Sequence, residues 1–127
     1  MEDILNLSQF LELLNDSSSL VEFTDSITLI ESLYHFTPTA FRNGNVSSSA
    51  TQNHGSCKIL SFGLIQKLDV QQTLSCFGGF YQDVLASPEG DDHQNIRQFI
   101  LHGWNGVVFE GHALTVINPP SASTETN

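Results

Sequence analysis

The segment His35–Gly55, H-F-T-P-T-A-F-R-N-G-N-V-S-S-S-A-T-Q-N-H-G, constrains the fold of this chain more than any other stretch. It lies between helical patterns and cannot itself continue a helix. Pro38 withholds an N–H and pushes Thr37 out of the helical region. Asn43-Gly44 is a turn pair, because both residues tolerate positive φ. The Ser/Thr/Asn run that follows has almost nothing to bury. A long mobile loop over about residues 42–55 is therefore expected, with Phe36, Phe41 and Cys57 docking its ends on the core.

Helical periodicity governs either side. Ile4, Leu7, Leu11 and Leu14, with Phe10 beside them, predict a first helix over residues 3–15, broken by Asn15–Ser19. Val21 and Phe23 flank Glu22 in a short strand or extended entry. Thr24 or Asp25 can then cap a second helix carrying Ile27, Ile30 and Tyr34. After the loop, Ser56 is the expected cap of a helix with Cys57, Leu60, Leu64 and Leu68 on one stripe and Ile65 alongside.

Asp69-x-x-Gln72 is a capping-box pattern that starts a helix bearing Val70, Leu74, Phe77 and Tyr81. Gly78-Gly79 inside that pattern costs about 1 kcal/mol per glycine relative to alanine, which close helix packing explains. Ser87-Pro88-Glu89-Gly90 is a turn. Asp91 or Asp92 can cap a further helix with Ile96, Phe99 and Ile100, ended near Gly103, and Trp104 plugs the core beyond it. Residues 107–109 and 113–117 read as strand, turn, strand. The sum is α+β: four to five helices packed with a small antiparallel sheet that includes a C-terminal hairpin. One domain spans residues 1–117, and residues 118–127 are expected as a disordered tail. No alternating βαβ order supports a nucleotide-binding parallel sheet.

Charge narrows the function. Fourteen acidic residues against four Lys and Arg give −10, and four scattered cations cannot displace the phosphate counterions on which nucleic-acid affinity rests. Anionic membrane surfaces are disfavoured for the same reason, and no apolar run is long enough to span a bilayer. The expected partner is a protein, not nucleic acid or membrane, and the expected state a monomer. The acidic start M-E-D-I-L-N-L reads as an amphipathic helix where a secretory signal would be basic. With two cysteines, Cys57 and Cys76, reduced thiols in a cytoplasm are the default.

Five segments run in a recognisable order: Tyr34-x-F-T-P-T-A-F-x-N-G to Gly44, N-x-G-S-C-K at 53–58, T-L-x-C-F-G at 73–78, D-H-Q-N-I-R-x-F at 92–99 and G-W-x-G at 103–106. Together they resemble the HopJ family, named for a type III secretion effector of plant-pathogenic bacteria, across residues 20–115. The resemblance implies a bacterial protein, cytoplasmic or injected into a host cell. It implies no established reaction and so no catalytic set to carry over.

The chemical candidates sit at two expected helix starts. If Ser56 is an N-cap, Cys57 lies in the first turn, where free N–H groups and the macrodipole stabilise a thiolate, with His54 and Lys58 adding positive charge. His93, flanked by Asp92 and Asn95, is the candidate partner for a Cys–His enzyme. The plainer account has both polar starts capping their own backbones: Ser56 as cap, Cys57 as small core residue, Asp92 as cap, and Arg97 paired with Asp91 or Asp92. Binding candidates are Asn43, Asn53, Ser56 and Lys58 on one side, and Asp92, Asn95 and Arg97 on the other. No histidine spacing matches a metal motif, and no metal or cofactor is expected. Three functions fit: an interaction protein, which the charge and missing motifs favour; a cysteine-dependent enzyme using Cys57 and His93; or a housekeeping domain that binds a small anionic ligand between the 43–58 loop and the 91–97 helix start.

Overall fold

The computed structural model describes residues 6–117. The proposed start of the first helix at residue 3 and the tail at 118–127 lie outside the described residues. Helix α1 (Leu7–Asp16) begins at a reciprocal cap: Asn6 Oδ1 accepts from the Gln9 N–H at 2.8 Å and Gln9 Oε1 from the Asn6 N–H at 3.0 Å. A 3₁₀ turn at Ser18–Leu20 leads to α2 (Phe23–Leu33). Asp25 does not cap α2 from outside. It is the third helical residue, and its carboxylate accepts the Glu22 N–H at 3.1 Å.

Helix α3 (His54–Gln66) is the centre of the molecule. Cys57 and the run Ile59–Gly63 are all buried, whereas Leu64 and Ile65 are 48% and 45% exposed. The one-sided stripe through Leu64 is thus corrected: α3 is enclosed on all sides along its middle and emerges only at its end. Phe62 meets Phe10 of α1 and Tyr34 edge-to-face, with ring centroids 5.9 and 6.3 Å apart.

The capping box at Asp69–Gln72 is present and starts α4 (Val70–Ser75). The expected continuous helix past residue 75 is not. The chain tightens through i→i−3 bonds at Cys76, Phe77 and Gly78, then restarts as α5 (Gly79–Ala86). Gly78 takes φ 58°, and a Cβ there would fall on the backbone nitrogen of Phe23. Close packing is therefore the reason for Gly78, but at a break between helices; Gly79 has open space around its missing Cβ. Helix α6 (Gln94–His102) ends at Gly103, and a 3₁₀ turn (Gly103–Gly106) follows. Trp104 plugs this junction as expected, donating Nε1–H to the Leu68 carbonyl at 2.9 Å.

Among the described residues, five short strands form two antiparallel sheets. β1 (Tyr34–Phe36) pairs with β5 (Leu114–Val116), placing Tyr34 opposite Val116 and Phe36 opposite Leu114. β2 (Phe41–Asn43) lies between β3 (Val46–Ser48) and β4 (Val107–Phe109). The expected mobile loop over 42–55 is therefore corrected in its first half, which is a hairpin around Gly44, Phe41 facing Ser48. The C-terminal strand, turn, strand is present, and each strand ladders to an upstream partner: β4 to β2 and β5 to β1. A stacked Phe41–Phe109 pair, centroids 5.1 Å apart, helps fix the β2–β4 register.

Replacing Gly78 by alanine adds positive-φ strain to a collision with backbone and is expected to cost about 3 kcal/mol. The neighbouring Gly79→Ala fills open space in a helical first turn and is expected to be neutral or stabilising by up to about 1 kcal/mol. Chemical denaturation of the two variants checks the contrast.

Candidate functional site

Two helices start in the same unusual way. The residue before α3, Asn53, has φ 54° and ψ 46°, and the residue before α6, His93, has φ 52° and ψ 49°. An ordinary N-cap is extended, which lets its side chain reach back to the second or third N–H. The left-handed conformation turns the side chain away. Asn53 Nδ2 donates instead to Ser48 Oγ at 2.8 Å, and no side chain caps either helix. The backbone N–H groups of Gly55, Ser56, Gln94 and Asn95 consequently have no hydrogen-bond partner among the described residues. Ser56 and Asp92, expected as N-caps, are not: Ser56 is the third residue of α3, and the Asp92 carboxylate is engaged elsewhere.

That engagement is Arg97, whose pairing with Asp92 was expected. Its guanidinium, 9% exposed, donates to Asp92 Oδ1 at 2.6 Å and to the Asp92 and Ser87 carbonyls at 2.5 and 2.9 Å. The Arg97 hydrogen bond, with smaller help from His93, holds the Asp92 carboxyl below its ordinary pKa. Arg97 thus pins the 87–92 turn against α6 and leaves the cleft below to other residues.

Between the starts of α3 and α6 lies an open cleft of about 390 Å³. Asn53, Gly55 and Ser56 line it from α3, and His93, Gln94 and Asn95 from α6. Phe23, Phe77 and Phe80 form its apolar wall with Val46 and Ile96. Phe23 and Phe80 meet edge-to-face at 4.9 Å, and Phe80 lies 5.3 Å from the His93 ring. In a chain with fourteen carboxylates, no acidic side chain lines this cleft. Its size and its mix of an apolar wall with a few convergent polar groups suit a small ligand.

The nominated residues divide accordingly. Asn53, Ser56, His93 and Asn95 come together in the cleft, and Asn43 lies just behind it, fully buried, donating Nδ2–H to Asn95 O and Oδ1 at 2.7 and 3.0 Å. Lys58 is elsewhere, 2.9 Å from Glu31 and 4.8 Å over the Phe36 ring. His54 turns to the Ala50 carbonyl at 2.8 Å. Asp92 and Arg97 serve the adjacent turn. Cys57 is 1% exposed, does not line the cleft, and directs Sγ toward the Thr39 carbonyl at 3.8 Å. Burial pushes its thiol up, outweighing the lowering effects of Thr39, Ser61 and Lys58. His93 faces Phe80, Asp83 and Asp92, with Nε2 3.6 Å from Asp83 Oδ2. Sequence reasoning missed the wall of Phe23, Phe77 and Phe80. The Gly78-Gly79 break beside two of them was its available signal.

A family profile described as HopJ type III effector protein matches residues 7–114. The chain belongs to the HopJ family. A solved structure titled "Crystal structure of unknown function protein VPA0580" is 50% identical, with TM-score 0.87, over 91% of this chain and 98% of that one. No curated protein matches. Among the described residues of this HopJ chain, no helix is long and apolar enough to cross a membrane, and no three metal-ligating side chains cluster.

Two measurements follow from the titrating groups. Native Cys57 is expected to alkylate with iodoacetamide more slowly than an unfolded-chain thiol over about pH 6–9, without a neutral plateau; a plateau near neutrality would reinstate the nucleophile. Because the folded Asp92 pKa is lowered, its contribution to stability is present above the ordinary carboxyl range and lost as pH falls through the folded value. Thermal melts from about pH 5 down to 3 are expected to show an acid-sensitive loss that Asp92→Asn reduces.

Proposed function

We propose that this HopJ-family protein works by binding a small anionic ligand in the cleft between the first turns of α3 and α6. The observation that carries the reading is the pair of uncapped helix starts, whose free N–H groups open on one carboxylate-free cleft. Each helix start carries a partial positive charge, and its N–H groups donate without side-chain reorganisation. Of the three functions the sequence allows, this one uses the residues that the fold brings together. A Cys57–His93 enzyme needs a thiolate in reach of the imidazole, and the thiol is enclosed in the core with its pKa raised. Contact with another protein, whether in the bacterium or after delivery to a host as the family description suggests, is compatible with the same cleft as a ligand-responsive surface.

The test is a titration followed in ¹H–¹⁵N correlation spectra at constant ionic strength. Acetate and inorganic phosphate are expected to move the Gly55, Ser56, Gln94 and Asn95 amides first and in a saturable way. Shifts scattered over the surface, or absent at those four amides, would overturn the reading.

A further inference from the structure

Helix starts alone do not choose a ligand, and the buried amides behind the cleft add an independent constraint. Asn43 is completely buried, and its Nδ2 is 2.7 Å from the backbone carbonyl of Asn95. A carbonyl oxygen only accepts, so the Asn43 amide cannot be turned round. The Asn95 side-chain atom 3.0 Å from that same Nδ2 must then be Oδ1, which commits the Asn95 Nδ2 to the other side. Asn95 is 7% exposed and lines the cleft, yet its Nδ2 has no hydrogen-bond partner among the described residues. It is also not a sealed atom, since the fully enclosed unpaired polar atom among the described residues is Asn43 Oδ1. The amide of an otherwise enclosed, cleft-lining residue is therefore fixed with its Nδ2 hydrogens unpaired by protein groups among the described residues. Polar groups of enclosed residues are almost always satisfied, by protein, water or a ligand, and a ligand that takes the place of water here must present an acceptor.

The opposite wall specifies the rest of the ligand. Phe80 is 41% exposed in a chain whose other large aromatic side chains are mostly enclosed, and it joins Phe23 and His93 in a run of three rings along the cleft. A ring inserted there makes offset or edge contacts that an aliphatic chain of equal area lacks. We propose that the cleft takes an aryl carboxylate: the carboxylate accepts from Asn95 Nδ2 and the first-turn N–H groups, and the ring lies against Phe80 and Phe23. This rests on the anion-binding reading above and narrows it. Asn43 is the positioning residue, acting only through Asn95.

The probes are benzoate, acetate, inorganic phosphate and benzyl alcohol, titrated at equal ionic strength into wild type and into Phe80→Ala, which removes an exposed ring and leaves the core in place. Benzoate is expected to bind the cleft amides about tenfold tighter than acetate or benzyl alcohol, and Phe80→Ala to collapse the benzoate-to-acetate affinity ratio toward one. If acetate or phosphate matches benzoate, the aryl proposal falls and the anion reading stands. If benzyl alcohol matches benzoate, the carboxylate contact is wrong. If no probe moves the cleft amides, both fall together.

Discussion

One buried amide, Asn43, fixes where the start of α6 meets the cleft. Its two hydrogen bonds to Asn95 tie the β2–β3 hairpin to the first turn of α6. The neighbouring residues reinforce that docking. The Gly44 N–H donates to the Gly106 carbonyl at 2.9 Å, and the Asn45 N–H to Gln98 Oε1 at 2.9 Å. Gly44 has φ 59°, and any Cβ there would collide with Gln98 and His102. Bonds of this kind contribute little net when made but are costly to leave unmade in an enclosed site. The hairpin tip therefore sits in one place along α6, and α6 cannot start elsewhere without stranding Asn43.

That constraint explains why two helix starts tolerate left-handed, non-glycine residues. Among the described residues only Asn53, Lys67 and His93 have positive φ without being glycine, and two of them precede the cleft helices. Asn adopts this region readily, His less so. Strain of this sort persists where surrounding contacts over-determine the backbone. Around His93 those contacts are Arg97 holding the preceding turn and Asn43 holding the following residues. Around Asn53 the contact is its own side chain on Ser48 of the hairpin. The outcome at both sites is the same: a helix start stripped of its side-chain cap, with its donors left to face the cleft.

The sequence showed the α+β class, the Asp69–Gln72 cap, the Arg97–Asp92 pair and the Trp104 plug, because each rests on local spacing or on a residue type with few alternatives. The hairpin at 41–48 was read as a mobile loop because burial was sought in apolar side chains. What anchors it is a buried Asn and backbone N–H groups, and a polar residue carries no sign in the sequence that it is inside. Likewise, Ser56 and Asp92 are the best capping residues near their helices by type, and only tertiary contacts show that the chain starts each helix differently. The residues nominated from the two starts nonetheless contain most of the polar half of the cleft. Its aromatic half was missed because Phe77 and Phe80 look like ordinary helix periodicity until Gly78 is seen to break the helix.

A strongly acidic chain is an unexpected host for the proposed anion, and the layout of charge bears on this. At physiological ionic strength exposed charges are screened beyond about 8 Å, so the net −10 acts weakly at the cleft floor. The local groups decide, and these are two helix starts, the Asn95 amide and the His93 ring, with no lining carboxylate. The nearest acids, Asp83 and Asp92, face the His93 Nε2, and Asp92 is also paired with Arg97. Arg97 balances the Asp92 charge, and the largely exposed Asp83 carboxylate is screened by solvent. The acidic exterior slows the approach of any anion and repels polyanions outright, while a small ligand with a single charge and an apolar body escapes most of that repulsion. On the proposed reading, the charge pattern that disfavours nucleic acid would favour, at this one cleft, a small and mostly apolar acid.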